Sequence, residues 1–300
     1  MKKIIKLGII GFGEVGYAIA SGLKEEGLEN IAIYDALLRD NPSNNLLLYE
    51  RIQKAKVKKY TDIEKLVYDV DVIFSTNSAN AAIDVAKKAA LFLEKQHLYV
   101  DLNSTSLKTQ KKIEETLKSI GCKFVDAAIM GGIALYGYKT PIIASGSGRE
   151  LFANLFKPYG MNINPNLVEE AGQASALKMY RSIITKGVEA LLIEMLVAAY
   201  RDNVSEQVFD LVCAWIDDQK GFSTLAKSMV STHAIHAGRR AFELKDVCET
   251  VKQVHMDPLM TEASLELFKR TDRSGVREFF NSKVPHDFMQ VIRYLSEKIK

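Results

Sequence analysis

Apolar runs alternate with turn signals and helical stretches through the first half of the chain. The first run ends at Ile10 and is followed at once by a glycine-rich turn at residues 11–16. Val15, Ile19 and Leu23 then recur at the spacing of one helix face. This succession predicts a strand, a tight turn and a helix that packs back onto the strand.

The same alternation continues as far as residue 128. Predicted strands cover residues 30–35, 57–60, 70–75, 98–102 and 123–128. Predicted helices lie between them at residues 46–54, 62–67, 81–93 and 107–120. Strands that alternate with helices favour a doubly wound parallel sheet, in which ligands bind at the carboxyl ends of the strands.

The pattern changes after residue 165, where strand signals disappear. Predicted helices cover residues 169–200, 207–220, 224–229, 233–254 and 258–269. We therefore expect an α/β protein of two domains. A doubly wound parallel sheet of the Rossmann type is predicted at residues 1–165, and an all-α domain at residues 166–300.

The glycine turn has the Gly-x-Gly-x-x-Gly spacing of the dinucleotide fingerprint, in the strand–turn–helix context that the fingerprint requires. Gly11 allows a tight turn, Gly13 allows the backbone to approach a pyrophosphate, and Gly16 allows the helix to pack closely. The predicted cofactor contacts in the turn are Gly11, Phe12, Gly13, Glu14, Val15 and Gly16. The alternative is a turn whose glycines are purely structural.

A carboxylate at the end of the second strand indicates which dinucleotide is bound. Asp35 follows the glycines by about twenty residues, where the ribose hydroxyls of the cofactor lie. Its charge repels a 2′-phosphate, so we expect NAD, with NADP as the alternative. Arg39 supports that alternative, because its side chain could swing over a phosphate.

Polar residues follow two further predicted strands directly. We predict Thr76, Asn77 and Ser104 as cofactor contacts, and both Ser104 and Thr105 as substrate contacts, because strand ends of this kind bind ligands. Alternatively, Asn77 is a turn residue, and Ser104 and Thr105 cap the next helix.

Composition excludes several classes of protein. The 300 residues are 47% hydrophobic and 26% charged, with a net charge of +3, as in ordinary soluble proteins. No basic run suggests nucleic-acid binding, and no apolar stretch is long enough to span a membrane. Cys122, Cys213 and Cys248 are widely spaced and in no metal-ligand pattern. They indicate reduced thiols in a cytoplasmic protein without a metal site.

A second glycine pair, Gly131 and Gly132, follows the predicted strand that contains Asp126. With the N-terminal fingerprint and Lys178, this segment resembles the β-hydroxyacid dehydrogenase family. That family includes 3-hydroxyisobutyrate dehydrogenase, tartronate semialdehyde reductase and 6-phosphogluconate dehydrogenase. The likeness covers essentially the whole chain and is strongest at residues 172–179, then at 236–241. It is closest to the branch with a phosphogluconate dehydrogenase-like C-terminal domain.

The resemblance implies roles for particular residues. In the family, an Asp-x-Pro-x-Ser-Gly-Gly segment binds the carboxylate of the substrate, and a lysine on the long helix is the catalytic acid/base. Lys178 matches that lysine. The substrate contacts implied here are Met130, Gly131, Gly132 and Ser182. A late Lys-Asp pair of the family is matched by Lys245 and Asp246, which implies a cofactor contact for Lys245.

This chain departs from the family pattern at three positions. Ala128 replaces the proline of the carboxylate-binding segment, Met130 replaces its serine, and Ser182 replaces an asparagine one turn after the catalytic lysine. The expected substrate is a small acidic molecule, held with one hydroxyl fewer. The resemblance also implies that the helical domain binds substrate and builds a homodimer.

The helical pattern around Lys178 supports a catalytic role independently. Ser175, Lys178 and Ser182 share one face, whereas Tyr180 and Arg181 are expected to lie off it. Surrounding apolar residues should desolvate the amine and lower its pKa, so that neutral Lys178 could accept the proton of an alcohol during hydride transfer. Alternatively, Lys178 reaches solvent as an inert ammonium.

The sequence therefore favours an NAD(P)-dependent oxidoreductase that acts on a hydroxy acid or related alcohol. A reductase of imines or semialdehydes is an alternative, and so is a non-catalytic dinucleotide sensor. Four residues keep no assigned role: His233, His236, Arg239 and Arg240. One of the arginines could bind an acidic group, while the histidine pair lacks a third metal ligand at a recognisable spacing.

Overall fold

The computed structural model describes residues 4–219 and 221–299, and the chain divides into two compact units, residues 1–182 and 183–300. Lys220, the last residue of one predicted helix, lies outside the described residues. The assignment of function to residues 1–165 and 166–300 stays a prediction.

The first unit is built around one eight-stranded sheet. Its strands are β1 (Leu7–Ile10), β2 (Ile31–Tyr34), β3 (Lys58–Tyr60), β4 (Val72–Ser75), β5 (Leu98–Asp101), β6 (Lys123–Ile129), β7 (Ile142–Ser145) and β8 (Ile163–Asn164). They are arranged in the order β3-β2-β1-β4-β5-β6-β7-β8. The predicted doubly wound sheet is confirmed, with one difference: β7 runs antiparallel to β6.

Helices of this unit connect the strands. They are α1 (Glu14–Glu25), α2 (Leu46–Ala55), α3 (Ile63–Asp69), α4 (Ala82–Ala90), α5 (Leu107–Lys118), α6 (Ile133–Tyr136) and α7 (Arg149–Phe156). Because adjacent strand residues point to opposite faces, each face of the sheet has its own hydrophobic cluster. Ile9 and Phe74 belong to one cluster, whereas Ile10 and Ile73 belong to the other.

β1 and β4 pair with each other at the point where the strand order reverses. From this pair, successive strands of the chain are added in opposite directions. In doubly wound sheets, ligands bind outside the carboxyl ends of the strands at such a switch point. Gly11 follows β1 there, and Thr76 follows β4. The fold thus brings the glycine turn and the polar strand ends to one edge.

A long helix, α8 (Gln173–Arg201), begins in the first unit and ends in the second. The second unit continues with α9 (Ser205–Asp217), α10 (Phe222–Gln253), α11 (Leu259–Arg273), α12 (Val276–Phe279) and α13 (Phe288–Lys298). The predicted all-helical character is confirmed. The two helices predicted at residues 224–229 and 233–254 are one helix, and α12 and α13 were not predicted. In the ranges that the structure covers, no helix is both long and apolar enough to cross a membrane.

Candidate active site at the carboxyl edge of the sheet

At two glycines of the turn, Gly11 and Gly16, close contacts leave no room for a side chain. Gly11 has a φ of +90°, and a Cβ there would lie 2.7 Å from the carbonyl oxygen of Thr76. The Thr76 hydroxyl donates a hydrogen bond of 2.5 Å to the Gly11 carbonyl oxygen, which fastens the end of β4 to the turn. A Cβ on Gly16 would lie 2.5 Å from that same oxygen, so α1 packs too closely for a larger residue.

Gly13 has the opposite surroundings. It is exposed, and a Cβ built on it meets no atom within 4 Å. The next residue, Glu14, begins α1, whose first N–H groups have no partner within the helix. Open space beside a helix N-terminus suits a pyrophosphate, so the residues present fit a dinucleotide.

Asp35, at the end of β2, is fixed by two backbone donors. Its carboxylate accepts hydrogen bonds from the N–H of Phe12 at 2.7 Å and from the N–H of Leu37 at 3.0 Å. Arg39 is held away from this carboxylate, because its Nε donates to the carbonyl oxygen of Thr61 at 3.3 Å. The negatively charged carboxylate of Asp35, rather than the guanidinium of Arg39, therefore lies where a ribose would bind.

The ends of β4 and β5 are joined by a buried polar network. Asn103 donates to the hydroxyl of Ser75 at 2.9 Å and to the carboxylate of Asp101 at 2.8 Å. Asn77 donates to the same Ser75 hydroxyl at 3.0 Å, and Gln110 donates to Asp101 at 2.9 Å. Burial raises the pKa of Asp101 to about 6. This network fixes the predicted contact Asn77, and sequence reasoning had not singled out its other members.

The two predicted contacts after β5 have different surroundings. Ser104 is exposed at the strand end, where a ligand could reach it. Thr105 is buried, and its hydroxyl accepts a hydrogen bond of 2.8 Å from Gln110. The cap of α5 is Ser106, whose hydroxyl accepts from the N–H of Thr109, rather than either predicted residue.

Asp126 on β6 fastens the first turn of α8 to the sheet. Its buried carboxylate accepts from the hydroxyl of Ser175 at 2.6 Å and from the N–H of Ser175 at 3.0 Å. The hydroxyl of Ser145 donates to the same carboxylate at 3.1 Å and accepts from the N–H of Ala174 at 3.2 Å. Burial raises the pKa of Asp126, and the Ser175 hydrogen bonds oppose that shift.

Lys178 lies one turn after this anchor and is half-buried. Desolvation lowers the pKa of its amine, the positive charge of Arg181 lowers it further, and Asp126 opposes both. Arg181 donates from Nη1 to the carbonyl oxygen of Met130 at 2.8 Å. The expectation that Arg181 lies off the face of Lys178 is wrong, since residues three apart on a helix are neighbours.

The segment after β6 thus lies beside the start of α8. The N–H of Met130 donates to the carbonyl oxygen of Pro141 at 2.8 Å and is therefore not free for a ligand. Gly131 and Gly132 are exposed, and within residues 4–219 and 221–299 their amides meet no acceptor. The hydroxyl of Ser182 donates to the carbonyl oxygen of Lys178 at 2.9 Å, within its own helix.

The remaining predicted residues belong to the second unit, on α10. Lys245 is exposed, with its amine 5.5 Å from the centre of the Phe242 ring. Arg239 pairs with Glu243 at 2.6 Å, whereas Arg240 donates to the hydroxyl of Thr232 at 2.9 Å. The cofactor contact of Lys245 stays a prediction.

The sequence matches known families over most of its length. Residues 6–167, more than half of the chain, match the family described as the NAD binding domain of 6-phosphogluconate dehydrogenase. Residues 203–271 match DUF1932, a domain of unknown function. An uncharacterised 28.5 kDa protein of Methanothermus fervidus is 28% identical over 268 residues, which cover 89% of this chain and 99% of the relative.

Solved structures share the fold. A conserved protein of unknown function, described as structurally similar to 3-hydroxyacid dehydrogenases, is 33% identical, with a TM-score of 0.58 over 90% of this chain and 97% of that chain. A reductive aminase from Aspergillus terreus, solved in complex with NADPH, is 17% identical. Its TM-score is 0.73 over 98% of this chain and 100% of that chain, a likeness of fold alone.

Proposed function

The chain belongs to the β-hydroxyacid dehydrogenase family, and we propose that it is an oxidoreductase that interconverts a hydroxy acid or related alcohol with its carbonyl compound, using NAD(P). The observation that carries this proposal is the half-buried amine of Lys178, whose pKa is lowered by desolvation and by Arg181. A nucleotide sensor has no need of such a group. An acid/base works best when its pKa lies close to the operating pH.

Lys178 would act as the acid/base of this reaction. When bound, the nicotinamide supplies or accepts the hydride. In the direction of oxidation, the neutral Nζ of Lys178 accepts the hydroxyl proton of the substrate as the carbon loses hydride and becomes a carbonyl carbon. In the reverse direction, the protonated amine returns that proton to the oxygen. The Ser175–Asp126 hydrogen bonds hold the helix turn that precedes the amine.

The proposed substrate is acidic. The exposed amides of Gly131 and Gly132 offer two donors for a carboxylate, and the guanidinium of Arg181 adds positive charge close by. Ser104 is the exposed hydroxyl of the neighbouring strand end. We assign Ser182 a lesser part, because its hydrogen is donated to the helix backbone, which leaves only acceptor capacity for a ligand.

A second activity, reduction of imines or semialdehydes, is favoured by Met130. Met130 has a half-buried apolar side chain and stands where the family has a serine. Its backbone N–H donates to the carbonyl oxygen of Pro141. A less polar pocket suits a substrate without a carboxylate. The reductive aminase of the same fold acts as a precedent for such chemistry on this scaffold.

Steady-state kinetics on the purified protein test both proposals. We expect the cofactor to bind, with turnover of a hydroxy acid in the presence of NAD⁺ or NADP⁺, or of a semialdehyde or a cyclic imine in the presence of NADH or NADPH. Lys178→Ala should lower kcat/KM about 10²–10⁴-fold, the usual contribution of a general acid/base, while cofactor affinity stays the same. Lys186→Ala, an exposed lysine on the same helix, is the matched control.

Two outcomes would contradict the proposal. Cofactor binding without turnover on any substrate class would favour the sensor. Turnover that survives Lys178→Ala at the level of the control would show that another group moves the proton.

A further inference from the structure

The second unit contains a pocket whose lining residues all belong to that unit. It has a volume of about 770 Å³ and lies between α9, α10, α11 and α13. Its walls are mostly apolar and include Trp215, Leu225, Met229, Leu267, Ile292 and Leu295. This volume lies within the range of cavities that bind small organic molecules.

Several wall residues are unusually exposed for apolar side chains that face one another. Trp215 and Leu267 are each 50% exposed, Met229 is 45% exposed and Ile292 is 41% exposed. An exposed apolar patch around a concave surface is typical of a binding site, because leaving it in water is unfavourable. The pocket therefore needs an occupant with an apolar body.

One end of the pocket is polar. Arg240 and Thr232 line it and are joined by the hydrogen bond from the guanidinium Nη2 to the hydroxyl, 2.9 Å long. His233 lies next to them, with Nε2 2.9 Å from the hydroxyl oxygen of Thr271 and its ring edge-on to Phe268. These contacts fix the orientation of the polar end.

Arg240 brings an unbalanced positive charge to this end. Its neighbour Arg239 is exposed and pairs with Glu243. In contrast, none of the carboxylates in residues 4–219 and 221–299 lies at ion-pair distance from the half-buried Arg240. Burial and Arg240 both lower the pKa of His233, so the imidazole does not add a second charge at neutral pH. The occupant should therefore carry an anion that matches a guanidinium, and a carboxylate does so with two parallel hydrogen bonds.

We propose that this pocket binds an organic carboxylate with an apolar body, whose carboxylate pairs with Arg240 and whose hydrocarbon part lies against the apolar walls. All the residues that line the pocket belong to the second unit, and the proposal does not depend on the proposed oxidoreductase activity.

The chain provides its own reporter for this site, because Trp215 is its only tryptophan and lines the pocket. We expect octanoate to change the tryptophan emission of the full-length protein in a saturable way. Acetate has the carboxylate alone, and 1-octanol and octylammonium have the apolar body alone or with the wrong charge, so all three should bind at least about tenfold more weakly. These ligand comparisons hold without any variant.

Matched variants assign the effect to one arginine. Arg240→Gln should lower the affinity for octanoate about tenfold or more, the loss expected for a charge-assisted pair, and leave binding of 1-octanol unchanged. Arg239→Gln, the adjacent but exposed and already paired residue, should behave as the wild type. Circular dichroism checks that both variants fold.

Three results would overturn the proposal. Octanoate and octylammonium could bind equally, or the two arginine variants could weaken octanoate binding equally. Alternatively, the tryptophan emission could follow protein concentration and ignore octanoate. That last result would show that a second copy of the chain fills the pocket.

Discussion

The pKa of Lys178 is lowered by desolvation and by the positive charge of Arg181 and is raised by Asp126, and the effect of Arg181 makes a pH profile informative. Oxidation requires the neutral amine, so kcat/KM for an alcohol should fall as the pH drops below the pKa of Lys178. Arg181→Gln removes a positive charge that lowers this pKa. The acid-side limb of the profile should therefore move to higher pH, while Arg181→Lys should move it less.

Lys186→Gln serves as the charge control for that experiment, since Lys186 is exposed and lies two turns further along the helix. A limb that moves equally in Lys186→Gln and Arg181→Gln would assign the effect to net charge. If the limb did not move at all, the group that titrates in the profile would not be Lys178.

Asp35 should decide between the two cofactors. Its carboxylate is held by the N–H groups of Phe12 and Leu37, and Arg39 is held away from it by a hydrogen bond to the carbonyl oxygen of Thr61. Asp35→Asn removes the charge that repels a 2′-phosphate. The ratio of NADPH to NADH affinity should rise about tenfold or more, as expected for relief of like-charge repulsion. Fluorescence titration with both cofactors measures the ratio.

The control for this prediction is Asp40→Asn, which alters an exposed carboxylate five residues away. Equal changes in both variants would mean that the whole surface charge, rather than Asp35, sets the preference.

At this scale the sequence predicted residues whose role follows from local spacing. The fingerprint glycines could be singled out because they directly follow a strand. Lys178 was singled out by the family resemblance and by the polar face of its helix, and the roles of all these residues stay predictions. The Asp101–Asn103–Ser75 network was missed because its contacts cross from one strand to another. The only available signal was that Asp101 and Asn103 flank the end of a strand. Arg181 was misjudged, although its three-residue spacing from Lys178 indicated a shared face.

The strand–turn–helix element at the N-terminus contains a matched pair of glycines. A methyl group on Gly16 would lie 2.5 Å from the Gly11 carbonyl oxygen, whereas one on Gly13 meets nothing. Gly16→Ala should therefore lower the free energy of unfolding by about 1–3 kcal/mol, the usual cost of overpacking. Gly13→Ala should change it by less than about 1 kcal/mol and weaken dinucleotide binding, because the methyl group occupies the space left for the pyrophosphate.

Chemical denaturation and cofactor titration on the two variants separate stability from binding. If Gly13→Ala bound the cofactor as well as the wild type, the open space beside Gly13 would not hold the pyrophosphate. If Gly16→Ala were as stable as the wild type, the close contact between residue 16 and the Gly11 carbonyl oxygen would not limit the size of the side chain there.

The strands β7 and β8 were not predicted, although equally short strands earlier in the chain were. β7 has four residues and β8 has two, and an apolar run that short distinguishes a strand from a loop only where it alternates with predicted helices, as β1 to β5 do. The reversal of β7 against β6 depends on pairing that no local pattern encodes. The helix α10 was divided in the prediction at residues 230–232, where polar and β-branched residues meet. In the structure the hydroxyl of Thr232 donates to the carbonyl oxygen of Ser228, and the helix continues.

At the scale of the whole molecule, α8 has more apolar surface than its own chain covers. Beyond residue 183, two rows of exposed side chains follow helical spacing. One row contains Ile184, Val188 and Leu191, and the other contains Ile193, Val197 and Tyr200. Ile184 and Ile193 are nine residues apart and so lie on opposite sides of the helix. Apolar rows on opposite sides of a helix are normally both covered.

We therefore predict a homodimer in which a second copy covers this part of α8. Static light scattering should give the mass of two chains, and Ile193→Glu should shift it towards the mass of one, because a charge buried at an apolar interface is strongly unfavourable. Leu46→Glu, at an equally exposed apolar position of the first unit, should leave the mass unchanged.

Dilution supplies the independent check, because association follows mass action and a dimer must dissociate at low concentration. If the wild type had the mass of one chain at every concentration, the predicted homodimer would be wrong, and a second copy would not be what covers the exposed rows on α8. If Leu46→Glu and Ile193→Glu dissociated the dimer equally, added charge rather than a specific interface would be responsible. A loss confined to Ile193→Glu would instead locate the contact on the helix whose first turns contain Lys178, and would connect assembly to the proposed catalytic amine through one continuous element.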